Sequence, residues 1–186
     1  MSTEMKTKVA NPGPLGLLGF GMTTVLLNLV NAGLDDLSIV VLAMGIALGG
    51  LAQIIAGIFE MKQGNTFAGT AFTAYGLFWW SFVLIKLCPF GAPAADHTTV
   101  GYYLVLWGIF TAFMYVGTLK HNKATQVVFG SLTVLFFLLA IGDFTHMELI
   151  TKIAGFEGIF CGLSAIYSAM GQILNAEYGK NVIPLG

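Results

Sequence analysis

The sequence predicts an all-α integral membrane protein whose six transmembrane helices form one bundle. Of its 186 residues, 56% are hydrophobic and only 9% are charged, whereas a soluble domain has about 45–50% apolar and about 25% charged residues. Eight lysines and nine acidic residues are too few to cover the surface of a soluble domain of this size. Lipid is therefore expected to surround most of the chain.

Six segments are long enough and apolar enough to span a membrane. A spanning helix needs about 20 apolar residues, because a rise of about 1.5 Å per residue must cross about 30 Å of hydrocarbon. The predicted spans cover residues 14–34, 38–59, 66–85, 100–119, 124–142 and 153–174. Residues 1–13 and 175–186 are predicted to be short tails, and no connection between spans is long enough to form a soluble domain.

The distribution of lysines predicts which side of the membrane the two tails occupy. In a six-span arrangement one side carries Lys6, Lys8, Lys62, Lys120, Lys123 and Lys180, and the other side carries only Lys86 and Lys152. Cytoplasmic loops are enriched in lysine and arginine. Both termini are therefore expected in the cytoplasm, and the chain is expected to be a multi-pass protein of the cytoplasmic (inner) membrane.

Composition also disfavours several classes of function. The net charge is −1 and all eight basic residues are lysines, so nucleic acid is not an expected partner. Cys88 and Cys161 each lie in an apolar stretch and are interpreted as packing residues. His97, His121 and His146 fall in predicted loops without companions at metal-ligand spacing. No catalytic residue, metal ligand or cofactor is predicted, and an enzyme is the least favoured class.

Polar residues inside the predicted spans form three stripes at helical spacing. A polar side chain in the membrane needs a partner or water, so its position indicates an interface or a water-filled path. The stripes are Thr24, Asn28 and Asn31 on the first span, Thr66, Thr70 and Thr73 on the third, and Ser164, Ser168, Gln172 and Asn175 on the sixth. Hydrogen bonding between helices explains any one stripe, whereas three stripes together favour a polar-lined path and hence a pore-containing bundle.

Ionisable groups are almost absent from the predicted spans. Glu157, near the start of the sixth span, is the exception, and a proton relay usually needs such groups. Hydroxyls and amides around an apolar middle suit a small polar or anionic solute. A short carboxylic acid fits this description, because its methyl end tolerates apolar walls while its carboxylate can bind hydroxyls. Composition alone equally allows urea, ammonia or glycerol.

The string NPGPLGL at residues 11–17 opens the first predicted span. Its prolines fix φ and lack N–H donors, which suits a helix entrance, and asparagine is a favoured cap. Further strings are GFGMTT at 19–24, GNTF at 64–67, FTAYGLFW at 72–79, SLTVLF at 131–136 and GLSAIYSAMGQILN at 162–175. Together they resemble the acetate uptake transporter family, which includes the bacterial succinate-acetate permeases. The resemblance covers essentially the whole chain, and Gly13 replaces the alanine that is common at the third position of the first string.

The resemblance implies an assembly and a set of site residues. Members of the family form six-helix protomers, assembled as homo-hexamers in which each protomer has its own pore. The pore narrows at a ring that matches Phe20, Tyr75 and Leu132 here, with Leu135 one turn away as the alternative to Leu132 and with Ala165 near the pathway. The end of a carboxylate pathway is implied at Asn11, Pro12, Pro14, Leu15, Gly16 and Leu17. Hydroxyls and amides at Thr24, Asn28, Thr73 and Ser164 are expected to replace water around the solute.

The resemblance therefore implies a plasma-membrane permease for acetate and for succinate. The expected partners are these and related short carboxylates, protons where transport is coupled, membrane lipids, and further copies of the same chain. The scarcity of titratable groups in the spans favours channel-like passage, while proton symport stays open. The alternatives are a neutral-solute pore for urea or ammonia and, from another class, a membrane scaffold or sensor that transports nothing.

Overall fold

All regular structure in the described residues is helical, in a computed structural model that describes residues 9–88, 91 and 93–186. The helices are α1 (Gly13–Asn31), α2 (Ile39–Lys62), α3 (Thr66–Leu87), α4 (His97–Thr118), α5 (Lys123–Thr145) and α6 (Glu148–Tyr178). Each of these six is long and apolar enough to cross a membrane, so the predicted all-α, six-span architecture is confirmed. Lys6, Lys8 and the rest of the predicted tail before residue 9 lie outside the described residues.

Polar side chains cap the first turn of three helices. The side chains of Asn65, Asp96 and Asn122 each accept a hydrogen bond from the backbone N–H three residues later, at 3.2, 2.9 and 2.9 Å. A cap of this kind satisfies N–H groups that the first helical turn leaves free. The backbone N–H of Thr99 also holds the pKa of the Asp96 carboxyl below its ordinary value. The fourth helix therefore begins at residue 97, three residues before the apolar segment.

The second helix changes its winding inside the membrane. It is α-helical over Ile39–Met44, π-helical over Gly45–Ala52 and α-helical again over Gln53–Lys62. A π-turn widens the helix and displaces the usual hydrogen-bond ladder. The indole Nε1 of Trp80 donates to the Ile46 carbonyl at 3.0 Å, next to Gly50, where a Cβ would overlap that indole. Trp80 of α3 thus fits against the widened segment of α2.

Close contacts at small residues hold α1 against α6. Helix α1 also packs on α2, α2 on α3, α4 on α5, and α5 on α6. The Asn28 side chain lies against Gly158, where any Cβ would overlap it, and Gly162 lies against the carbonyl of Gly21. Small residues permit this approach between membrane helices. The ring of helices closes between α3 and α4, whose backbones are held apart by aromatic side chains such as Phe78 and Trp107, with ring centroids 5.2 Å apart.

The segment after α6 folds back along that helix. The Asn175 side chain accepts from the backbone N–H groups of Val182 and Ile183, at 2.7 and 2.8 Å, and donates to the Ile183 carbonyl at 2.8 Å. The Tyr167 hydroxyl donates to the Pro184 carbonyl at 2.6 Å. Asn175 therefore anchors the chain end, so this member of the predicted sixth-helix stripe serves hydrogen bonding within the fold.

Candidate functional site

Two small internal cavities lie on either side of three buried apolar side chains. One has a volume of about 20 Å³ and the other about 30 Å³. Phe20 from α1, Tyr75 from α3 and Leu132 from α5 line both cavities, and are only 6%, 4% and 3% exposed. We call these three residues the constriction. We call the end of the bundle where α1 begins and α6 ends the inner end, and the opposite end the outer end.

A hydrogen bond away from the cavities orients the tyrosine of the constriction. The Tyr75 hydroxyl donates to Thr111 Oγ1 at 2.9 Å, and Thr111 Oγ1 in turn donates to the Trp107 carbonyl at 2.7 Å. The Tyr75 ring centroid lies 6.2 Å from that of Phe20 and 5.5 Å from that of Phe110. Because its hydroxyl proton is already engaged on α4, Tyr75 contributes its ring to the constriction, which is therefore apolar.

The cavity of about 20 Å³ lies on the inner side of the constriction, and we call it the inner cavity. It continues into a vestibule of about 240 Å³ at the inner end of the bundle, which we call the inner vestibule. The inner cavity is lined by Leu17, Phe20, Gln53, Ala71, Phe72, Tyr75, Val128, Phe129 and Leu132. The vestibule shares Leu17, Ala71, Phe72 and Phe129 with it and adds Asn11, Gly13, Glu60, Asn65, Phe67, Ala68, His121, Asn122, Thr125 and Gln172. Shared walls make the vestibule and the inner cavity one path towards the constriction.

The cavity of about 30 Å³ lies on the outer side of the constriction, and we call it the outer cavity. Three helices form its walls, and it approaches a larger vestibule. Its lining is Phe20, Thr24, Leu27 and Asn28 of α1, Tyr75, Phe78 and Trp79 of α3, and Leu132, Leu135, Phe136 and Leu139 of α5. Leu139 also lines an outer vestibule of about 610 Å³. Helices α1, α3 and α5 thus form most of the path between the two ends of the bundle.

Polar atoms without protein partners flank the apolar constriction. On the inner side, Gln53 is fully buried, its Nε2 donates to the Gly49 carbonyl at 2.7 Å, and its Oε1 has no partner in the described residues. On the outer side, Thr24 Oγ1 is likewise buried and unpartnered there, while Asn28 donates to the Thr24 carbonyl at 2.9 Å. Buried polar atoms are costly unless they bind something. Water or a passing solute is the partner that these positions allow.

A carboxylate is also buried at the inner vestibule. Glu60 is buried near the end of α2, and Asn65 donates to its Oε2 at 2.7 Å. Asn11, in the same vestibule, donates to Gln172 Oε1 at 3.0 Å and accepts from the backbone N–H of Gly13 at 2.9 Å. In the sequence, Glu60 directly follows the predicted span 38–59. The structure instead places it inside the helix end, where it fixes the loop of the GNTF string.

The structure brings only some of the site residues expected from sequence to the path. Those that line it are Asn11, Leu17, Phe20, Thr24, Asn28, Tyr75, Leu132 and Leu135. Leu132 borders both small cavities and Leu135 only the outer one, so the two leucines lie in succession along the same wall.

The other expected site residues lie elsewhere and line none of the described cavities. These are Pro12, Pro14, Leu15, Gly16, Thr73, Ser164 and Ala165. Leu15 is 42% exposed, and Thr73 lies where a Cβ on Gly57 would overlap it. Ser164 donates to the Cys161 carbonyl at 2.7 Å. Gly16 makes room for the Phe72 ring, so it shapes the inner path indirectly.

Sequence reasoning missed several residues that line the path. Gln53, Phe72, Trp79 and Phe129 border the small cavities. A signal for Gln53 was present, because it is an amide deep within the predicted span 38–59. The aromatic residues gave no signal, since aromatic side chains also occur on the exposed faces of these helices. Within the described residues, no group of three His, Cys, Asp or Glu side chains is placed to hold a metal ion.

Of the three histidines expected in loops, His97 begins a helix, while His121 and His146 lie outside the helices. His97 is the first residue of α4 and its Nδ1 lies 2.7 Å from Asp143 Oδ1, while its ring centroid lies 4.9 Å from that of His146. The helix ends that carry them meet at the outer vestibule. His121 lies at the inner vestibule against Phe67, with ring centroids 4.8 Å apart. None of the three is isolated in the folded chain.

A model of the GPR1/FUN34/yaaH family matches residues 1–184. The chain belongs to the GPR1/FUN34/yaaH family. The succinate-acetate/proton symporter SatP of Escherichia coli (strain K12) is 55% identical over 184 residues, which cover 97% of each chain. Acetate permease A of Emericella nidulans is 33% identical, over 96% of this chain and 66% of that protein. These relatives confirm the resemblance expected from the sequence strings.

A solved structure agrees with the whole six-helix arrangement. The structure described as that of the bacterial acetate channel SatP has a TM-score of 0.95 and 55% sequence identity, and the match covers 96% of this chain and 100% of that chain. At this identity and coverage, the GPR1/FUN34/yaaH member described here has the same fold. It is a multi-pass membrane protein, as its six spanning helices indicate.

Proposed function

We propose that this protein is a permease of the cytoplasmic membrane for acetate, with succinate as a second substrate. The observation that carries the proposal is the Phe20–Tyr75–Leu132 constriction, which separates two small cavities on one path between an inner and an outer vestibule. The relatives named for acetate and succinate support this choice of substrate. Each protomer carries a path of its own, which suits the homo-hexamer that the sequence resemblance implies.

A short carboxylate matches the chemistry on both sides of the constriction. Its methyl or methylene part can pass apolar rings, while its carboxylate can accept a hydrogen bond from the Thr24 hydroxyl. The Gln53 Oε1 atom can accept one from water or from the hydroxyl of a protonated acid. Cavities of about 20 and 30 Å³ hold about one or two water molecules each. Acetate has four non-hydrogen atoms, so the constriction residues must move to let it pass.

Whether transport is coupled to protons depends on which groups near the constriction can bind a proton. The nearest polar side chains, Gln53, Thr24 and Asn28, do not titrate near neutral pH. Glu157 lies on α6, lines none of the described cavities, and has an Oε2 atom without a partner in the described residues. A proton that crosses with the solute therefore travels on the carboxylic acid. We propose channel-like passage, with symport arising where the protonated acid is the species that crosses.

Uptake by purified protein in liposomes tests the proposed function. Vesicles with the protein are expected to take up labelled acetate faster than empty vesicles, with excess unlabelled succinate competing and excess urea having no effect. An imposed pH gradient separates the two mechanisms, because accumulation above the anion equilibrium requires coupling to protons. Acetate uptake equal to that of empty vesicles at every pH would refute the proposed function.

Gln53→Leu is expected to reduce acetate uptake about tenfold while the protein stays folded. The substitution keeps a similar side-chain volume but removes the amide from the inner cavity, where it is fully buried. A hydrogen bond between neutral groups is worth about 0.5–1.5 kcal/mol, and the upper end of this range, about 1.4 kcal/mol, corresponds to a factor of ten. Gln63→Leu is the matched control, since Gln63 donates to the Ala10 carbonyl outside the cavities. Equal initial rates for Gln53→Leu and wild type in liposomes would contradict a role for this amide.

A neutral-solute pore remains the second candidate, and one relative favours ammonia. Ammonia transport outward protein 2 of Saccharomyces cerevisiae is 38% identical over 91% of this chain and 64% of that protein. The apolar constriction is also compatible with an uncharged solute. The liposome assay distinguishes the two candidates, because an ammonia pore collapses an imposed ammonium gradient faster than empty vesicles do, and acetate does not inhibit it.

A further inference from the structure

We propose that the outer vestibule binds carboxylates and that its affinity rises when His97 and His146 take up protons. The inference rests on the proposed function for the identity of the ligand. It concerns a different place, at the outer end of the path and away from the constriction. The vestibule has a volume of about 610 Å³ and borders the outer cavity through Leu139. A solute held in this vestibule is therefore positioned to enter the path.

The vestibule contains cationic and titratable side chains from several helices. Lys86 comes from α3, His97 from α4, Asp143 from α5, His146 from the position directly after α5, and Glu148 and Lys152 from α6. Helix α1 contributes Asn31, which is not titratable, and Gly33 follows it. Asp96 caps α4 beside His97, and the exposed Asp35 and Asp36 follow α1 without lining the vestibule.

The charge of this set depends on the histidines. With both histidines neutral, the two lysines balance Asp143 and Glu148, and the lining has no formal net charge. With both protonated, the lining has a net charge of +2. Histidine is the side chain that ordinarily changes charge between pH 5 and 8. Mild acidification thus converts a neutral vestibule into one that attracts anions.

The geometry of His97 links the protonation of the histidines to their neighbours. Its Nδ1 lies 2.7 Å from Asp143 Oδ1, and the His97 side chain is 66% exposed whereas that of Asp143 is 22% exposed. The Asp143 carboxylate can accept a hydrogen bond from this ring nitrogen when the nitrogen carries a proton. The edge-to-face contact with His146 has 4.9 Å between centroids, so two protonated rings here would place two like charges close together. A bound carboxylate relieves that repulsion, so ligand and protons are expected to bind together.

Histidine titration by NMR, with the full-length chain in detergent, tests this linkage without any transport step. The chain has three histidines, so His97→Gln, His146→Gln and His121→Gln assign every signal. Protonation and ligand binding must strengthen one another by the same factor. A unit charge about 4 Å away in water changes affinity about fivefold. The midpoints of His97 and His146 are therefore expected to rise by about 0.7 pH unit when sodium acetate replaces sodium chloride at constant ionic strength.

His121 is the internal control, because it lies at the inner vestibule. Its midpoint is expected to move less than those of His97 and His146. Midpoints of His97 and His146 that do not rise with acetate, or a rise that is equal at all three histidines, would overturn the proposal. Neither result depends on whether the protein transports acetate, which the liposome assay measures separately.

Transport kinetics provide a second test. A purely structural role for the histidines would not make the KM for acetate depend on pH. At a fixed concentration of acetate anion, the wild-type KM is expected to fall by up to about 25-fold between external pH 7.5 and 5.5, about fivefold for each of the two histidines. The double variant His97→Gln/His146→Gln should lose the part of this dependence that the two histidines supply, whereas His121→Gln should retain it. The effect should shrink at 1 M salt, where the Debye length is about 3 Å. A double variant that keeps the full wild-type dependence of KM on pH would contradict the assignment.

Discussion

Phe20→Ala is expected to raise the uptake of a branched carboxylate, isobutyrate, relative to acetate by about tenfold. Phe20 borders both small cavities and is 6% exposed, so its ring forms one wall of the closed constriction. Removing the ring joins cavities of about 20 and 30 Å³ into a wider opening. A methylene that fits poorly in an apolar site changes selectivity by about 10–200-fold. The ratio of initial rates in liposomes, corrected for empty vesicles, measures the effect.

The experiment on Phe20→Ala must distinguish a wider constriction from partial unfolding of the protein. Truncation of a buried phenylalanine to alanine costs about 3–5 kcal/mol in a packed core. Phe20→Leu keeps most of the packing and should shift the ratio in the same direction by a smaller factor. Phe113→Ala is the control, because Phe113 is 76% exposed on α4 and lines none of the described cavities. A ratio unchanged in both Phe20 variants would show that this ring does not limit passage.

Of the three polar stripes predicted from helical periodicity, only the stripe on α1 lies along the path with all of its members. Thr24 and Asn28 are four residues apart, so they share one face of α1, and both line the outer cavity. The constriction could not be derived in this way, because Phe20, Tyr75 and Leu132 lie in helices that carry apolar residues on several faces, so an apolar residue does not mark one face. Those three residues were identified through the family resemblance alone. Apolar residues reveal a path only once the packing of several helices is known.

The missed residues have a physical explanation in local geometry. Gln53 follows a π-helical segment, Gly45–Ala52, which changes the rotation per residue. A periodicity of 3.6 residues therefore gives the wrong face for the residues beyond it. His97 and Asp143 are far apart in sequence, and they meet because α4 and α5 are antiparallel neighbours with adjoining ends. Sequence spacing cannot report such a pair.

Gly155→Ala is expected to destabilise the protein by about 3 kcal/mol, near the upper end of the typical cost of overpacking. A Cβ at this position would overlap the backbone nitrogen of Ala32 and lie 2.6 Å from its Cα. Backbone atoms cannot rotate away as a flexible side chain can, so α1 and α6 must separate at their outer ends. For a chain of this size, such a loss corresponds to a fall of about 6–12 °C in Tm. Thermal unfolding in detergent measures it.

Gly155→Ala also tests whether the packing of α1 on α6 affects transport. Helix α1 carries Phe20, Thr24 and Asn28, and Asn28 packs on Gly158, one turn from Gly155. Displacing α1 should therefore lower acetate uptake in vesicles even at temperatures where the variant is folded. Gly130→Ala is the matched control, because the atoms nearest its Cβ would belong to the Tyr115 ring, at 3.2 Å, and that ring can shift. A Tm for Gly155→Ala within about 2 °C of wild type would mean that the α1–α6 contact yields easily, since about 2–4 °C corresponds to about 1 kcal/mol.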